Sequence, residues 1–125
     1  MDIVTADGAP GAVGPYSHAV RTGGLLFCSG QVALDPEAGV LVGDDVAEQT
    51  AQVFRNVRAV LAAAGATLSD VVKTTVFLDT MDDFQAMNAV YAEAFGGHRP
   101  ARSAVAVETL PLGALVEIEV VAEVA

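Results

Sequence analysis

The sequence predicts one α+β domain over residues 1–125, a two-layer sandwich in which a mixed sheet carries two helices on one face. Its 125 residues suffice for a single core. Short β-branched and apolar runs alternate with two longer stretches of helical periodicity. The resulting order is β-β-α-β-α-β-β, and right-handed crossovers place both helices on the same side of the sheet. The opposite sheet face is therefore expected to be uncovered.

The first half of the chain is expected to form a hairpin and then a helix. Ala19–Thr22 and Leu25–Gly30 are short strand candidates, separated by two glycines that suit a tight turn. A helix is expected from about Asp45, because Asp45 and Glu48 have the spacing of a capping box, and it should stop at Gly65. Its apolar stripe comprises Val46, Val53, Val57, Val60, Leu61 and Ala64.

The second half is expected to alternate strand and helix before a final strand pair. Val71–Leu78 is β-branched and apolar, which predicts a strand with little exposed face. Thr80 is a candidate cap for a second helix, which ends at Gly96. Arg102–Val107 and Leu115–Val124 are the last two strands. The stripe of the second helix comprises Phe84, Met87, Asn88, Tyr91 and Phe95.

Composition excludes several classes of function. Sixteen acidic and six basic residues give a net charge of −10, and so acidic a surface repels nucleic acids and anionic membranes. No apolar run is long enough to span a bilayer and the N-terminus does not resemble a signal peptide, so a cytoplasmic protein is expected. The only two histidines, His18 and His98, lack zinc-ligand spacing, so no metal site is expected.

The apolar content favours an oligomer. Hydrophobic residues make up 53% of the chain and the mean hydropathy is +0.48. A domain of this size is expected to retain apolar surface after its own core is filled, and that surface can be buried against another subunit. The uncovered sheet face is the candidate surface.

Strand alternation predicts which charged residues share that uncovered face. In the penultimate strand, we expect the bulkier set containing Val105 to pack under the helices and Arg102 to point away from them, among small alanines. In the last strand Ile118 should pack under the helices, which leaves Glu117 on the uncovered face beside Arg102. Arg102 is either an ion-pair partner or a fork for a ligand carboxylate. Glu117 is either an exposed strand carboxylate or a proton-transfer group.

Six short segments carry a family resemblance. They are GPYS at 14–17, CSGQ at 28–31, VKTTVF at 72–77, NAVY at 88–91, PARS at 100–103 and VEIE at 116–119. Together, in this order and over nearly the whole chain, they resemble the Rid family, also called YjgF, whose members are reactive-intermediate deaminases.

The resemblance implies a fold, an assembly and a reaction. The family's fold resembles that of chorismate mutase, a ferredoxin-like arrangement that forms a homotrimer around a barrel of sheets, with clefts between subunits. Its members hydrolyse enamines and imines such as 2-aminoacrylate and 2-iminopropionate to 2-keto acids and ammonia, without a metal or an organic cofactor. The alternatives are a non-catalytic trimer that binds such metabolites, a pathway-specific deaminase of a larger substrate, or a ribonuclease or chaperone role.

The resemblance also assigns catalytic roles. Arg102 would pair with the substrate carboxylate, helped by a backbone N–H just after it. Glu117 would hold and activate the attacking water and help to protonate the leaving amine. Tyr16 would close the cleft, with its ring against the substrate and its hydroxyl near the water.

Further residues are implied in substrate binding. Ser29 and Gly30 would line the floor, and Asn88 would support the site from the second helix. Ala104 stands where many relatives carry cysteine, so any role of that thiol is absent here, while the backbone donor remains. The loop at 96–99 is shorter than in common relatives, which implies a cleft rim that selects a different substrate.

Overall fold

The computed structural model describes residues 1–125 and contains one mixed sheet and two helices. The strands are β1 (Asp2–Val4), β2 (Ala19–Thr22), β3 (Leu25–Cys28), β4 (Val71–Leu78), β5 (Ala101–Ala106) and β6 (Val116–Glu123); the helices are α1 (Val46–Ala63) and α2 (Phe84–Phe95). The sheet order is β1-β2-β3-β6-β4-β5, with β4 and β5 parallel and the other pairs antiparallel. The α+β prediction is confirmed. Neither helix has the length and apolar character needed to cross a membrane.

Two details of the first strands differ from the prediction. Strand β1, which pairs Ile3 with Val20, was not predicted, because three residues are too few to show periodicity. Strand β3 ends at Cys28, so Ser29 and Gly30 lie outside the ladder, and Gln31 forms an isolated bridge with β6. The predicted strand was therefore two residues too long.

Helix α1 begins and ends where its sequence signals indicate. A side-chain oxygen of Asp45 accepts a hydrogen bond from the Glu48 N–H at 2.8 Å, which satisfies one free amide of the first turn. The helix ends at Ala63, and Gly65 follows with φ of 75°, a conformation that favours glycine. Five of the six predicted stripe residues are buried, namely Val46, Val53, Val57, Val60 and Leu61.

Helix α2 starts later than its cap. The Thr80 hydroxyl accepts a hydrogen bond from the Asp82 N–H at 3.2 Å, but this caps a single 3-10 turn, Met81–Asp83, which leads into α2 at Phe84. The helix ends at Phe95 and is terminated by Gly96, as predicted, which has φ of 61°. Of its predicted stripe, Met87, Tyr91 and Phe95 are buried.

The core lies between the two helices and one face of the sheet. The Phe54 ring of α1 packs edge-on against the rings of Tyr91 and Phe95 from α2, with centroids 5.7 and 5.5 Å away. Ile118 and its neighbours two residues away on β6 are buried beneath the helices, as predicted. Because both helices pack on this side, the other sheet face, called the open face below, is uncovered.

The predicted orientation of Arg102 was wrong. Arg102 pairs with Thr74, which is fully buried and hydrogen-bonds Tyr91 of α2, so both side chains lie on the helix side of the sheet. Ala104 follows on the same side and packs against the core. Val105, expected under the helices, is 44% exposed on the open face.

The reason for this reversal lies in the edge position of β5. Residues of α2 face this side of β5: the Arg102 guanidinium lies over the rings of Tyr91 and Phe84, and Ala104 packs against the core. The assumption that the bulkier set always faces the helices fails because the open face is itself partly apolar.

An apolar row crosses the open face. Ile3, Val20, Phe27 and Val121 are successive partners across β1, β2, β3 and β6. Ile3 is 65% exposed and Phe27 is 47% exposed. Side chains of this kind at neighbouring positions form a continuous apolar strip, which monomeric proteins usually cover.

Candidate functional site

Glu117 lies on the open face, as predicted, in a half-buried position on β6. Its backbone neighbours Val116 and Ile118 are buried on the helix side, so strict alternation directs the carboxylate away from the core. Burial raises the pKa of Glu117, and the negative charge of nearby Glu119 raises it further. A carboxyl group with a raised pKa can both accept and release a proton closer to neutral pH.

Gly30 lies directly against the Glu117 carboxyl group. A Cβ atom at position 30 would collide with the carboxylate and would lie 3.0 Å from its carboxyl carbon. A larger residue at position 30 would therefore displace the Glu117 carboxyl group from this position. The predicted floor residue is thus in contact with the predicted acid–base residue.

Ser29 connects this floor to the loop that carries Tyr16. Its hydroxyl donates a hydrogen bond to the Ser17 carbonyl at 2.6 Å, and its N–H donates to the His18 carbonyl at 2.9 Å. The Tyr16 side chain is 48% exposed at the rim of the same cavity. The Ser29 side chain therefore positions the loop, and the Tyr16 ring remains free to contact a ligand.

His18 is a buried residue of this region for which the sequence predicts no role. The buried imidazole accepts a hydrogen bond from the Ala6 N–H at Nδ1 (2.9 Å) and, with its proton on Nε2, donates to the Pro10 carbonyl at 2.8 Å. This ring holds the 6–16 segment in place. The only sequence signal was its position directly after the GPYS segment.

One cavity of about 520 Å³ brings four predicted site residues together. They are Tyr16, Ser29, Gly30 and Glu117. The sequence did not predict Leu112, which also lines this cavity and is the only non-glycine residue with positive φ, 61°. Such a backbone conformation is uncommon outside glycine and is found more often at functional sites.

Arg102 and Asn88 lie at a second cavity, of about 300 Å³. The guanidinium of Arg102 donates a hydrogen bond to the Asn88 side-chain oxygen at 2.7 Å, so the predicted supporting role of Asn88 has a direct contact. The guanidinium carbon lies 4.7 Å from the centroid of the Tyr91 ring and 5.5 Å from that of Phe84. These cation–π contacts hold an exposed cation in one orientation.

The second cavity has the electrostatic character of an anion site. Its lining contains Arg99 and Arg102 and no acidic residue, although the chain carries a net charge of −10. Arg102 therefore keeps donors available for an anionic ligand. Ala104 continues the same strand, two residues beyond Arg102, and pairs with Val76.

Within one chain the two groups of residues do not meet. Arg102 pairs with Thr74 and Glu117 pairs with Phe77, on opposite sides of the intervening strand β4. Positions 74 and 77 differ by three, so the two side chains point to opposite faces. Their strands are two spacings apart, roughly 9.5 Å, and the residues are also offset by roughly 10 Å along the strands. One chain therefore presents a carboxylate half and an arginine half of the predicted site in separate places.

The remaining candidate groups give no second site. Burial raises the pKa of the Cys28 thiol to about 12, so the reactive thiolate is disfavoured at neutral pH. No group of three or more His, Cys, Asp or Glu side chains is placed to hold a metal ion.

The fold and these cavities define a class: a small two-layer α+β protein with a carboxylate-bearing cavity on its open sheet face. Comparison with known proteins identifies the family. The family model described as Endoribonuclease L-PSP matches residues 6–124. The chain is 48% identical over 121 residues to a RutC family protein of Pyrococcus horikoshii, covering 97% of this chain and 96% of the relative.

Two further relatives carry informative names. The human 2-iminobutanoate/2-iminopropanoate deaminase is 43% identical over 120 residues, covering 96% of this chain and 88% of the relative. The crystal structure of E. coli TdcF with bound serine superposes with a TM-score of 0.93 at 36% identity and covers 100% of both chains. This chain belongs to the YjgF/Rid family.

Proposed function

We propose that this protein is a cofactor-free hydrolytic deaminase of small, carboxylate-bearing enamines and imines, of the 2-aminoacrylate and 2-iminopropionate type. The observation that carries the proposal is Glu117, a half-buried carboxyl group with a raised pKa at a cavity of about 520 Å³, in a family with members named as deaminases. The products are a 2-keto acid and ammonia.

The chemistry needs one proton-transfer group and good positioning. Water adds to the electrophilic imine carbon while Glu117 accepts its proton. The same carboxyl group returns that proton to the nitrogen, which gives a carbinolamine. The hydroxyl proton of the carbinolamine then moves to the nitrogen through the carboxylate, so the C–N bond breaks as the C=O bond forms and ammonia leaves. Acid–base assistance of this kind contributes on the order of 10²–10⁴ in rate. We assign closure of the cavity over the substrate to Tyr16, which lies at its rim.

The substrate carboxylate is assigned to Arg102. Its guanidinium is oriented by Asn88 and Tyr91 in a cavity without acidic residues, which suits a charge-assisted bond to a carboxylate. Because Arg102 and Glu117 are separated within one chain, we propose that a homotrimer joins the arginine half of one subunit to the carboxylate half of the next. The apolar row of the open face supports such an assembly.

The test is to generate 2-aminoacrylate in situ with a serine or threonine dehydratase and to follow imine loss spectroscopically. We expect wild type to accelerate hydrolysis, and Arg102→Ala to lose most of that acceleration because the substrate is no longer anchored. Arg58→Ala is the matched control, since it removes one exposed arginine on α1, away from both cavities that contain the predicted site residues. An inactive wild type, or an Arg102→Ala variant as active as wild type, would contradict the proposal.

A second candidate function is metabolite binding without turnover. It is favoured by one observation, that a solved relative holds serine, a small carboxylate-bearing molecule. Binding of 2-ketobutyrate that is lost in Arg102→Ala, together with no effect on imine loss, would select it over the deaminase. The ribonuclease role in the family model's description is disfavoured by the net charge of −10.

A further inference from the structure

Two buried amide side chains of α1 contact the segment that forms one wall of the Glu117 cavity. This segment, called the cavity wall, is residues 31–34, of which Gln31, Val32 and Leu34 line the cavity. The Asn56 side chain is 1% exposed. Its amide nitrogen donates to the Val32 carbonyl at 3.1 Å and to the Leu34 carbonyl at 2.9 Å.

Gln52 fixes the orientation of Asn56. Its amide nitrogen donates to the Asn56 side-chain oxygen at 3.1 Å and to the Leu34 carbonyl at 3.4 Å, and its own oxygen accepts from Arg55 at 3.0 Å. Every polar atom of both amides therefore has a partner. Since a buried amide without partners is costly, this network strongly favours one arrangement.

The cavity wall depends on these bonds because it lies outside the sheet ladder. Two further backbone bonds hold its second half: the Leu34 N–H donates to the Val32 carbonyl at 2.8 Å, and the Val42 N–H donates to the Ala33 carbonyl at 2.8 Å. At its start, Gln31 exchanges two hydrogen bonds with Ile118, the residue next to Glu117. Asn56 thus connects a rigid helix to the backbone that flanks the carboxyl group.

We propose that Asn56, supported by Gln52, is a positioning residue: it holds the cavity wall against the substrate and in register with Glu117. This role rests on the proposed deaminase function for its effect on turnover. It acts on the wall, and Asn56 itself does not touch the reacting atoms. The buried face of α1 also carries Gln49 and Thr50, but their side chains hydrogen-bond to residues 43, 46 and 115 and not to the cavity wall.

The experiment compares Asn56→Leu with wild type by hydrogen exchange and by kinetics. Leucine has a similar size and cannot donate, so the Leu34 and Val42 amides are expected to exchange faster. Loosening the wall is expected to lower kcat by about tenfold or more, with a smaller change in KM, because displacements of about 1 Å carry penalties of this order. Gln52→Met leaves Asn56 in place and is expected to lower kcat by a smaller factor. This variant replaces Asn56→Leu in the experiment if Asn56→Leu fails to fold.

The matched control is Val60→Ala, a buried substitution in the core face of the same helix. It lowers the melting temperature without touching the wall, so wild-type kcat and wild-type exchange at Leu34 are expected. Three results would each overturn the proposal. The wall amides of Asn56→Leu could exchange as in wild type, or their exchange could be faster while kcat stays at the wild-type value. Asn56→Leu and Val60→Ala could also lose kcat equally at matched stability. If wild type does not turn over imines, the proposed function fails by itself, and the positioning role is then decided by exchange and by 2-ketobutyrate affinity in the same variants.

Discussion

At Glu117, burial and the charge of Glu119 both favour the protonated carboxyl group. The same surroundings that suit proton transfer therefore make this position costly for folding once the group ionises. Gly30 lies against this carboxyl group, because its missing side chain lets the backbone approach closely. The surroundings that favour proton transfer by Glu117 therefore lower the stability of the folded chain when this carboxyl group is ionised.

Glu117→Gln is expected to be more stable than wild type at neutral pH and equally stable in acid. The pKa of Glu117 is higher in the folded chain than its ordinary value of 4.5, so the unfolded chain ionises first as pH rises, and wild type loses stability through that window. Glutamine cannot ionise and escapes this loss. Urea denaturation at a series of pH values measures the difference.

Glu123→Gln is the control for that comparison, since Glu123 is an exposed carboxylate on the same strand. Because its side chain is exposed, Glu123→Gln should not reproduce the gain in stability expected of Glu117→Gln. A Glu117→Gln difference that does not grow as pH rises from acid towards neutrality would contradict the assigned cause. The same substitution is expected to abolish the acid–base contribution to turnover.

At the scale of elements, the sequence predicted the helices and strands whose signals lie within their own residues. Helix α1 follows from the Asp45 cap, the 3.6-residue stripe and Gly65, and β4 follows from its β-branched run. Strand β1 was missed because its three residues owe their structure to pairing with β2. The face of Arg102 was predicted wrongly because β5 alternates between two partly apolar sides, and only the placement of α2 decides between them.

The N-terminal cap of α1 gives a prediction at this scale. Asp45→Ala should lower the free energy of unfolding by about 1 kcal/mol, because the Glu48 N–H loses the side-chain acceptor now 2.8 Å away. Asp44→Ala removes the same charge one residue earlier and is the control. Chemical denaturation measures both, and equal losses would show that charge rather than capping is responsible.

For the whole molecule, four of the predicted site residues share one cavity, while Arg102 and Asn88 lie at another. Tyr16, Ser29, Gly30 and Glu117 line one cavity, as the family resemblance implied. No property of a single sequence reports that Arg102 lies across β4 from them, since that separation depends on the order of strands in the sheet. The proposed homotrimer would reunite the halves.

Phe27→Asp is expected to weaken that assembly. Phe27 is 47% exposed in the middle of the apolar row, so a charge there would be desolvated in any face-to-face contact, and association should weaken by at least about tenfold. Val40→Asp introduces the same charge at a 59% exposed loop position and should leave assembly unchanged. Analytical ultracentrifugation over a range of concentrations measures both, and a monomeric wild type would rule out the assembly.

The positions of the tyrosines in the carboxylate half and the arginine half of the proposed site have a consequence for fluorescence measurements. The chain contains no tryptophan and two tyrosines, and these are Tyr16 at the carboxylate cavity and Tyr91 under the guanidinium of Arg102. Ultraviolet emission from this protein therefore comes from one fluorophore in each half. With Tyr16→Phe or Tyr91→Phe as the background, each half reports ligand entry separately and without an attached dye.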